Sequence, residues 1–450
     1  MKYRTPVVAG AFVAALLVFS PVKAAWVEAE SENFIYIGNT GESKARTILS
    51  RLETYRAAVL ALGGVKGAPE VRKVHVYGLR NSSHIEDVTG VSGIGGIYTK
   101  AENYPLFVTS TRTSSRASTA TAYHEYSHHL LSSYSTTFVP RWYNEGFAEF
   151  LGQMTIADGT ITVGLPPASV AIGFSLEPSL QKSSRSDWKY VTTVTNAITR
   201  YPFDNSADAS TFYTMSWVAV HYLQNTAELR DGLVNYLDLL NKGVEAKPAF
   251  ENGFGIDQAE FAERLRQYWS DNKYRNVKFR AADIIPEEPE IATRKLSGDE
   301  VDLALWEPRV IFLGSGEEYA RKRASVRTKL LRDIEKHGFV VPLVAALKRL
   351  EFIEKNYSAA VEIARRGMEQ DPDSLEAAYL LADSLYHRYT SDRKTYASDL
   401  PRSREMLAAI LEADPSHPSA NSHYPDTVLM LGESPDELAI RAARFNLTYN

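Results

Sequence analysis

Two histidines and a glutamate lie close together in the 450-residue chain, in the run His124-Glu125-Tyr126-Ser127-His128. Residues four apart share one face of a helix, so both imidazoles can point at a single metal ion. Glu125 is turned by about 100° from His124 and lies beside the remaining coordination position, where a general base belongs. The spacing therefore predicts a zinc site that activates water. The alternative is an ordinary surface helix with two solvated histidines.

A zinc ion in a catalytic site takes three protein ligands and keeps a fourth position open. The metzincin pattern would place glycine at position 131 and histidine at 134, whereas the chain has Leu131 and Tyr134. The next helical segment instead reads WYNEGFAE and contains Glu145, with 16 residues between His128 and this glutamate. A third ligand from the metzincin position is therefore excluded.

These two segments resemble the gluzincins, which include the thermolysin-like proteases and the zinc aminopeptidases with an NEGFA helix. They are most similar to the peptidase MA-like family, although the spacer is slightly shorter than in the first two groups. The resemblance implies that Glu145 joins His124 and His128 as the third ligand. It also implies that Glu149 accepts the free N–H of a ligand histidine, for which we favour His124 over His128, and such an acceptor fixes the orientation of a ligand ring. The alternative for Glu149 is a solvated helix acid.

Hydrolysis also requires a donor to the oxyanion that forms when water attacks a carbonyl. The segment that begins at Tyr213 resembles the zinc aminopeptidase segment in which a tyrosine hydroxyl has this role, but it lacks that family's lysine–glycine pair. Tyr213 is one of 25 tyrosines, so packing in the core is the alternative. His129 faces away from His128 on a helix, and we interpret it as structural.

Hydrophobic periodicity predicts the elements that position these residues. Strands are expected at 33–37, 71–77, 97–99 and 106–110, helices at 44–62, 116–132, 140–151, 211–223 and 256–269, and a hairpin at 154–163. A mixed sheet followed by helices is an α+β arrangement, in which the resemblance implies a gluzincin-like helical active-site subdomain. We expect an extended substrate to pair with the sheet edge near Ile97 or Leu106.

Changes in composition along the chain predict its domains. Residues 1–24 have a basic start, a short apolar core and a small residue at the exit, as in a cleaved signal peptide; an uncleaved anchor is the alternative. Residues 25–285 form the predicted zinc peptidase-like domain. Residues 286–299 contain prolines and acids and are predicted to be a linker. Residues 300–450 are predicted to form an all-helical domain.

Part of the helical domain, residues 356–385, resembles a tetratricopeptide repeat. Ala360, Ala364 and Asp371-Pro372 match that family's packing alanines and helix-ending proline. A second Asp414-Pro415 lies 43 residues later, against a period of about 34, which predicts an insertion near 389–396. The alternative is an ordinary helical hairpin domain.

Composition limits the possible functions. The chain has no cysteine, which excludes thiolate ligands and disulfides, and its net charge of −5 gives no reason to expect nucleic acid. We predict an exported Zn²⁺ peptidase, periplasmic or secreted, that acts on peptide or protein substrates. It would have no membrane span after signal cleavage, and its helical domain would bind a protein partner. The alternatives are an inactive scaffold that binds partners through its helical repeats, and a zinc enzyme for other substrates.

Overall fold

A computed structural model describes residues 26–63, 72–92, 96–100, 104–111, 116–134, 139–167, 206–271, 274–284 and 288–449. It contains an N-terminal mixed sheet and a mostly helical C-terminal region, so the predicted α+β class is confirmed at that level. The predicted signal segment, residues 1–24, lies outside the described residues. In the part of the chain that is described, no helix is both long enough and apolar enough to cross a membrane.

The N-terminal sheet has six strands. They are β1 Val27–Glu30, β2 Phe34–Gly38, β3 Val74–Leu79, β4 Gly96–Lys100, β5 Pro105–Ser110 and β9 Ala292–Lys295, in the order β4-β5-β3-β2-β1-β9. β2, β3 and β5 are parallel to one another, whereas β4, β1 and β9 are antiparallel to their neighbours. Every residue of β5 is buried, as expected for an inner strand that is covered on both faces.

The edge strand β9 comes from the segment that the sequence predicts to be a linker. Its register places Ala292 opposite Glu30 and Lys295 opposite Val27, and Arg294 forms an ion pair with Glu28 at 2.7 Å. The strand is polar and mostly exposed, so it lacks the apolar alternation that identifies a strand in a sequence. Within this segment, Ala292–Lys295 therefore belongs to the sheet.

The helices of the N-terminal region include all those that the periodicity predicts. They are α1 Glu42–Leu62, α2 Ser82–Thr89, α3 Arg116–Tyr134, α4 Arg141–Gly152, α5 Ser206–Asn225, α6 Ala227–Asn241, α7 Ala246–Phe254 and α8 Gln258–Asp271. A predicted hairpin is present as β6 Thr155–Ala157 and β7 Thr160–Val163, with Asp158 and Gly159 at φ of 50° and 70° in its turn. A third strand, β8 Val277–Arg280, extends this small sheet.

The C-terminal region is an array of helices. They are α9 Gly298–Ala304, α10 Trp306–Val310, α11 Ala320–His337, α12 Val341–Ile353, α13 Tyr357–Gln370, α14 Leu375–Ser391, α15 Asp399–Ala413, α16 Pro418–Met430 and α17 Glu437–Tyr449. Ala360 and Ala364 are fully buried on α13, which ends directly before Asp371-Pro372. The predicted insertion near 389–396 lies at the end of α14 and in the connection to α15.

The helical region packs directly against the sheet. Val301 and Leu305 of α9 share a hydrophobic cluster with Ile37 and Tyr77 of the sheet. α17 contacts α3, the helix that carries the two candidate histidines. The predicted domains therefore share part of their core.

Candidate metal centre

Two helices carry the candidate ligands, and their close approach depends on small residues. A Cβ atom added to Gly152 of α4 would lie 3.2 Å from Cβ of His124 on α3. On the other side of α4, a Cβ atom at Gly146 would lie 2.2 Å from the carbonyl oxygen of Ser216 on α5. Glycine at these two positions lets α4 fit between α3 and α5, which brings residues from two separate segments together.

Tyr55 on α1 positions α3 from the opposite side. Its fully buried hydroxyl donates to the carbonyl oxygen of Tyr123 at 3.0 Å and lies 2.5 Å from Oγ of Ser127. The rings of Tyr55 and Tyr123 are stacked with their centroids 3.9 Å apart. These contacts hold the turn of α3 that lies between His124 and His128.

Three ligand atoms converge at the centre of the site. Nε2 of His124 and Nε2 of His128 are 3.2 Å apart, and Oε2 of Glu145 lies 3.5 Å from the former and 3.2 Å from the latter. Zinc bonds of roughly 2.0–2.1 Å in a tetrahedron place neighbouring ligand atoms about 3.3–3.4 Å apart. The three distances therefore match one face of a zinc tetrahedron, and the donor set of two imidazoles and a carboxylate suits that ion.

The second nitrogen of each histidine ring also has a partner. Nδ1 of His124 lies 3.3 Å from Oε1 of Glu149, which is the pairing that the resemblance implies. Nδ1 of His128 donates a hydrogen bond to Oδ1 of Asn144 at 2.7 Å. Each partner leaves the Nε2 lone pair free to face a metal ion. Sequence analysis assigned no role to Asn144, although its position next to Glu145 could have indicated one.

The charges of the site favour a bound cation. Burial alone would raise the pKa of Glu145, but hydrogen bonds from His124 and His128 lower it to about 2. Burial would lower the pKa of His124, but its hydrogen bonds to Glu145 and Glu149 raise it to about 10. In the metal-free protein a proton thus remains among these groups. A zinc ion would displace that proton.

Glu125 is half-buried beside this cluster. Burial raises the pKa of its carboxyl group, and the charges of His124 and His128 lower it. Together with the charges of Glu145 and Glu149, which also raise it, the pKa of Glu125 lies above its ordinary value. A raised pKa makes a carboxylate a better proton acceptor near neutral pH. The position and the environment of Glu125 therefore suit a general base.

Tyr213 lies on the wall of the site formed by α5. Its ring centroid is 6.2 Å from that of His124, and the half-buried side chain also packs against the core. Burial and then the charge of Glu145 raise the pKa of Tyr213, while a hydrogen bond with Arg141 opposes this. The hydroxyl therefore stays protonated and can donate. Arg141 on α4, whose Nε is 3.8 Å from Oε1 of Glu145, is a further residue of the site to which sequence analysis gave no role.

Two other predictions concern the sheet beside α3. His129 is buried, its Nδ1 is 2.9 Å from the hydroxyl of Tyr98 on β4, and its ring stacks on Tyr126, as a structural residue would.

Ile97 lies on β4, and no described strand pairs with the outer side of β4. Leu106 lies on β5, which has strands on both sides, so the expectation that a substrate pairs there was wrong.

Comparison with models of known protein families gives no match. A search of curated proteins gives no match either.

Proposed function

We propose that this protein is an exported zinc-dependent peptidase whose metal ligands are His124, His128 and Glu145. The observation that carries the proposal is the set of ligand-atom distances of 3.2, 3.2 and 3.5 Å. Partners on the outer nitrogen of both rings support it, because a functional imidazole ligand needs a defined tautomer. With α3 packed on the mixed sheet and α4 beside α3, the arrangement also supports a gluzincin-like subdomain.

Zinc held in this way supplies a Lewis acid that polarises a carbonyl and lowers the pKa of water to about 7. Glu125 accepts the proton of the attacking water and delivers it to the leaving amine. The hydroxyl of Tyr213 donates to the oxyanion. Arg141 forms a hydrogen bond with Tyr213 and an ion pair with Glu145, so it links the proposed oxyanion donor to a proposed ligand.

An extended peptide is the substrate that this site favours. The outer side of β4, close to α3, offers backbone groups that can pair with such a chain. Helices α12–α17 follow as a repeat-like array, to which we assign the recruitment of a protein partner. The binding-scaffold alternative has less support, because it gives no reason for Glu149 and Asn144 to orient the two rings.

The decisive experiment combines metal analysis with digestion of a peptide library, read by mass spectrometry. Glu125→Gln should keep the metal and the fold but lower hydrolysis by roughly 10²–10⁴-fold, because it removes the base and not a ligand. Glu86→Gln, at an exposed glutamate of α2, is the matched control and should retain activity. Hydrolysis within about tenfold of the unaltered protein would rule out Glu125 as the base. A zinc-loaded protein that cleaves no peptide would instead point to the scaffold or to another substrate.

A further inference from the structure

A second group of metal-binding side chains lies in the helical array, far along the chain from the first. Asp383 and His387 are four residues apart on α14, and His423 lies on α16. One ligand atom from each of the three lies within 4.8 Å of the other two. α14 contacts both α12 and α16, so side chains from these helices can meet.

Two imidazole nitrogens approach one oxygen of Asp383. Nε2 of His387 and Nδ1 of His423 each lie 3.3 Å from the same carboxylate oxygen, Oδ1. The hydroxyl of Tyr379 is 3.5 Å from this oxygen and also from Nδ1 of His423. Ligand atoms around a tetrahedral zinc are about 3.3 Å apart, so the two distances of 3.3 Å from Oδ1 also fit a shared cation.

Lys348 on α12 pairs with the second oxygen of this carboxylate. The fully buried ammonium group pairs with Oδ2 of Asp383, which is itself buried. Oδ1 is thereby directed towards the two histidines. A hydrogen-bonded carboxylate of this kind is what orients an acidic ligand at a metal site. Asp426, which accepts a hydrogen bond from Tyr386 at 3.2 Å, adds a negative charge close to His423.

We infer that Asp383, His387 and His423 form a second binding site for a divalent transition-metal ion of the zinc class. Two imidazoles and one carboxylate suit zinc, whereas magnesium and calcium prefer oxygen ligands. The side chain of His387 is 37% exposed, so the ion can reach the site from solvent and keep an open position there. The bound ion cross-links α14 to α16 and stiffens the surface of the array. This inference does not depend on the peptidase site.

The test is the zinc stoichiometry of the full chain after metal removal and titration with zinc alone, in competition with a weak chelator. The unaltered protein should bind two zinc ions, and Glu145→Ala should bind one. Adding either His387→Asn or His423→Asn to Glu145→Ala should remove the remaining ion, while adding His337→Asn, at the end of α11, should not. Asp383→Asn is unsuitable, since it would remove the carboxylate that pairs with the buried ammonium group of Lys348.

Two further readouts separate a site from incidental binding. Cobalt substituted into the Glu145→Ala protein should give the visible absorption of tetrahedral coordination, and His423→Asn should abolish it. Zinc should raise the melting temperature of Glu145→Ala but not of Glu145→Ala/His423→Asn. A second zinc that survives both histidine substitutions would overturn the inference, as would a Glu145→Ala protein that binds none. If zinc binding is unchanged by Glu145→Ala but is lost with His387→Asn, the second site is supported and only the proposed peptidase site is contradicted.

Discussion

Asn144 and Glu145 are neighbours on α4, and each contacts a different nitrogen of His128. Nδ1 of the ring donates to Asn144 at 2.7 Å, and Nε2 lies 3.2 Å from Oε2 of Glu145. One turn of α4 thus carries one candidate ligand and also contacts the ring of a second candidate ligand on α3. One turn later on α4, Oε1 of Glu149 lies 3.3 Å from Nδ1 of His124, as Asn144 lies beside Nδ1 of His128.

The contact between Asn144 and His128 predicts a specific loss of metal affinity. Asn144→Ala should weaken zinc binding by roughly 10–100-fold, because the His128 ring loses the acceptor that holds its tautomer and orientation. Competition with a chelator measures this change. Asn241→Ala, at an exposed asparagine of α6, is the control and should bind zinc normally. Unchanged affinity in Asn144→Ala would show that the ring is held by α3 alone.

Tyr213→Phe tests the oxyanion donor, because the substitution removes only a hydroxyl group. The value of kcat should fall by roughly 10²-fold or more with KM nearly unchanged, since the interaction belongs to the transition state. Tyr222→Phe is a matched control on the same helix, where the hydroxyl bonds to Arg264 instead. A normal kcat with a loss of about 1 kcal/mol in the free energy of unfolding would mean that Tyr213 only packs.

Gly146→Ala tests the close approach of α4 and α5. The new methyl group would lie 2.2 Å from the carbonyl oxygen of Ser216, and backbone cannot rotate away as a side chain can. We expect a loss of about 1–3 kcal/mol in the free energy of unfolding together with weaker zinc binding, because α4 carries Glu145. Gly298→Ala meets no atom within 4 Å and should leave both quantities unchanged. Equal denaturant midpoints for the two variants would contradict the packing argument.

The pairing of β9 with β1 predicts where the chain can be shortened. A chain that ends after Pro286 lacks β9 and exposes the edge of β1. We therefore expect it to aggregate, or to melt at a temperature at least about 5 °C below that of the full chain. A chain that ends after Leu313 keeps β9 together with α9 and α10, and it should be the more stable of the two. Size-exclusion chromatography and thermal unfolding compare them. Equal stability would mean that the sheet does not need its sixth strand.

The pKa shifts in the metal-free protein predict how its stability depends on pH. The pKa of His124 is raised from 6.5 to about 10. The stability that its interactions contribute is therefore fully present below about pH 6.5 and is lost as the pH rises towards 10. The pKa of Glu145 is lowered from 4.5 to about 2. The stability that its interactions contribute is therefore present above about pH 4.5 and is lost as the pH falls towards 2. The pair therefore stabilises the fold most between these two limits.

Urea unfolding at a series of pH values checks this expectation. The difference in the free energy of unfolding between the metal-free protein and Glu145→Gln should shrink from about pH 6 to about pH 9. A constant difference would show that the two residues are not coupled. Zinc binding near pH 8 should also release protons, because the ion replaces the proton that His124 holds.

Local patterns in the sequence were sufficient for the two helices that carry the candidate ligands, for the hairpin turn at Asp158-Gly159 and for the shared face of His124 and His128. The reason is geometric, since residues four apart on a helix must share a face wherever that helix lies. The spacing of His124 and His128 therefore predicts a common target, whereas the roles of Glu145 and Glu149 followed from the resemblance to the gluzincins.

Only the tertiary structure decided which distant groups meet. Asn144 reaches His128 because two glycines let α4 pack closely between α3 and α5. The polar strand β9 has no periodic signal, and it forms only because β1 offers it an unpaired edge. Asp383 and His423 come together across the helical array, although 39 residues separate them in the chain. Such contacts depend on how helices and strands pack, which hydrophobic periodicity does not encode.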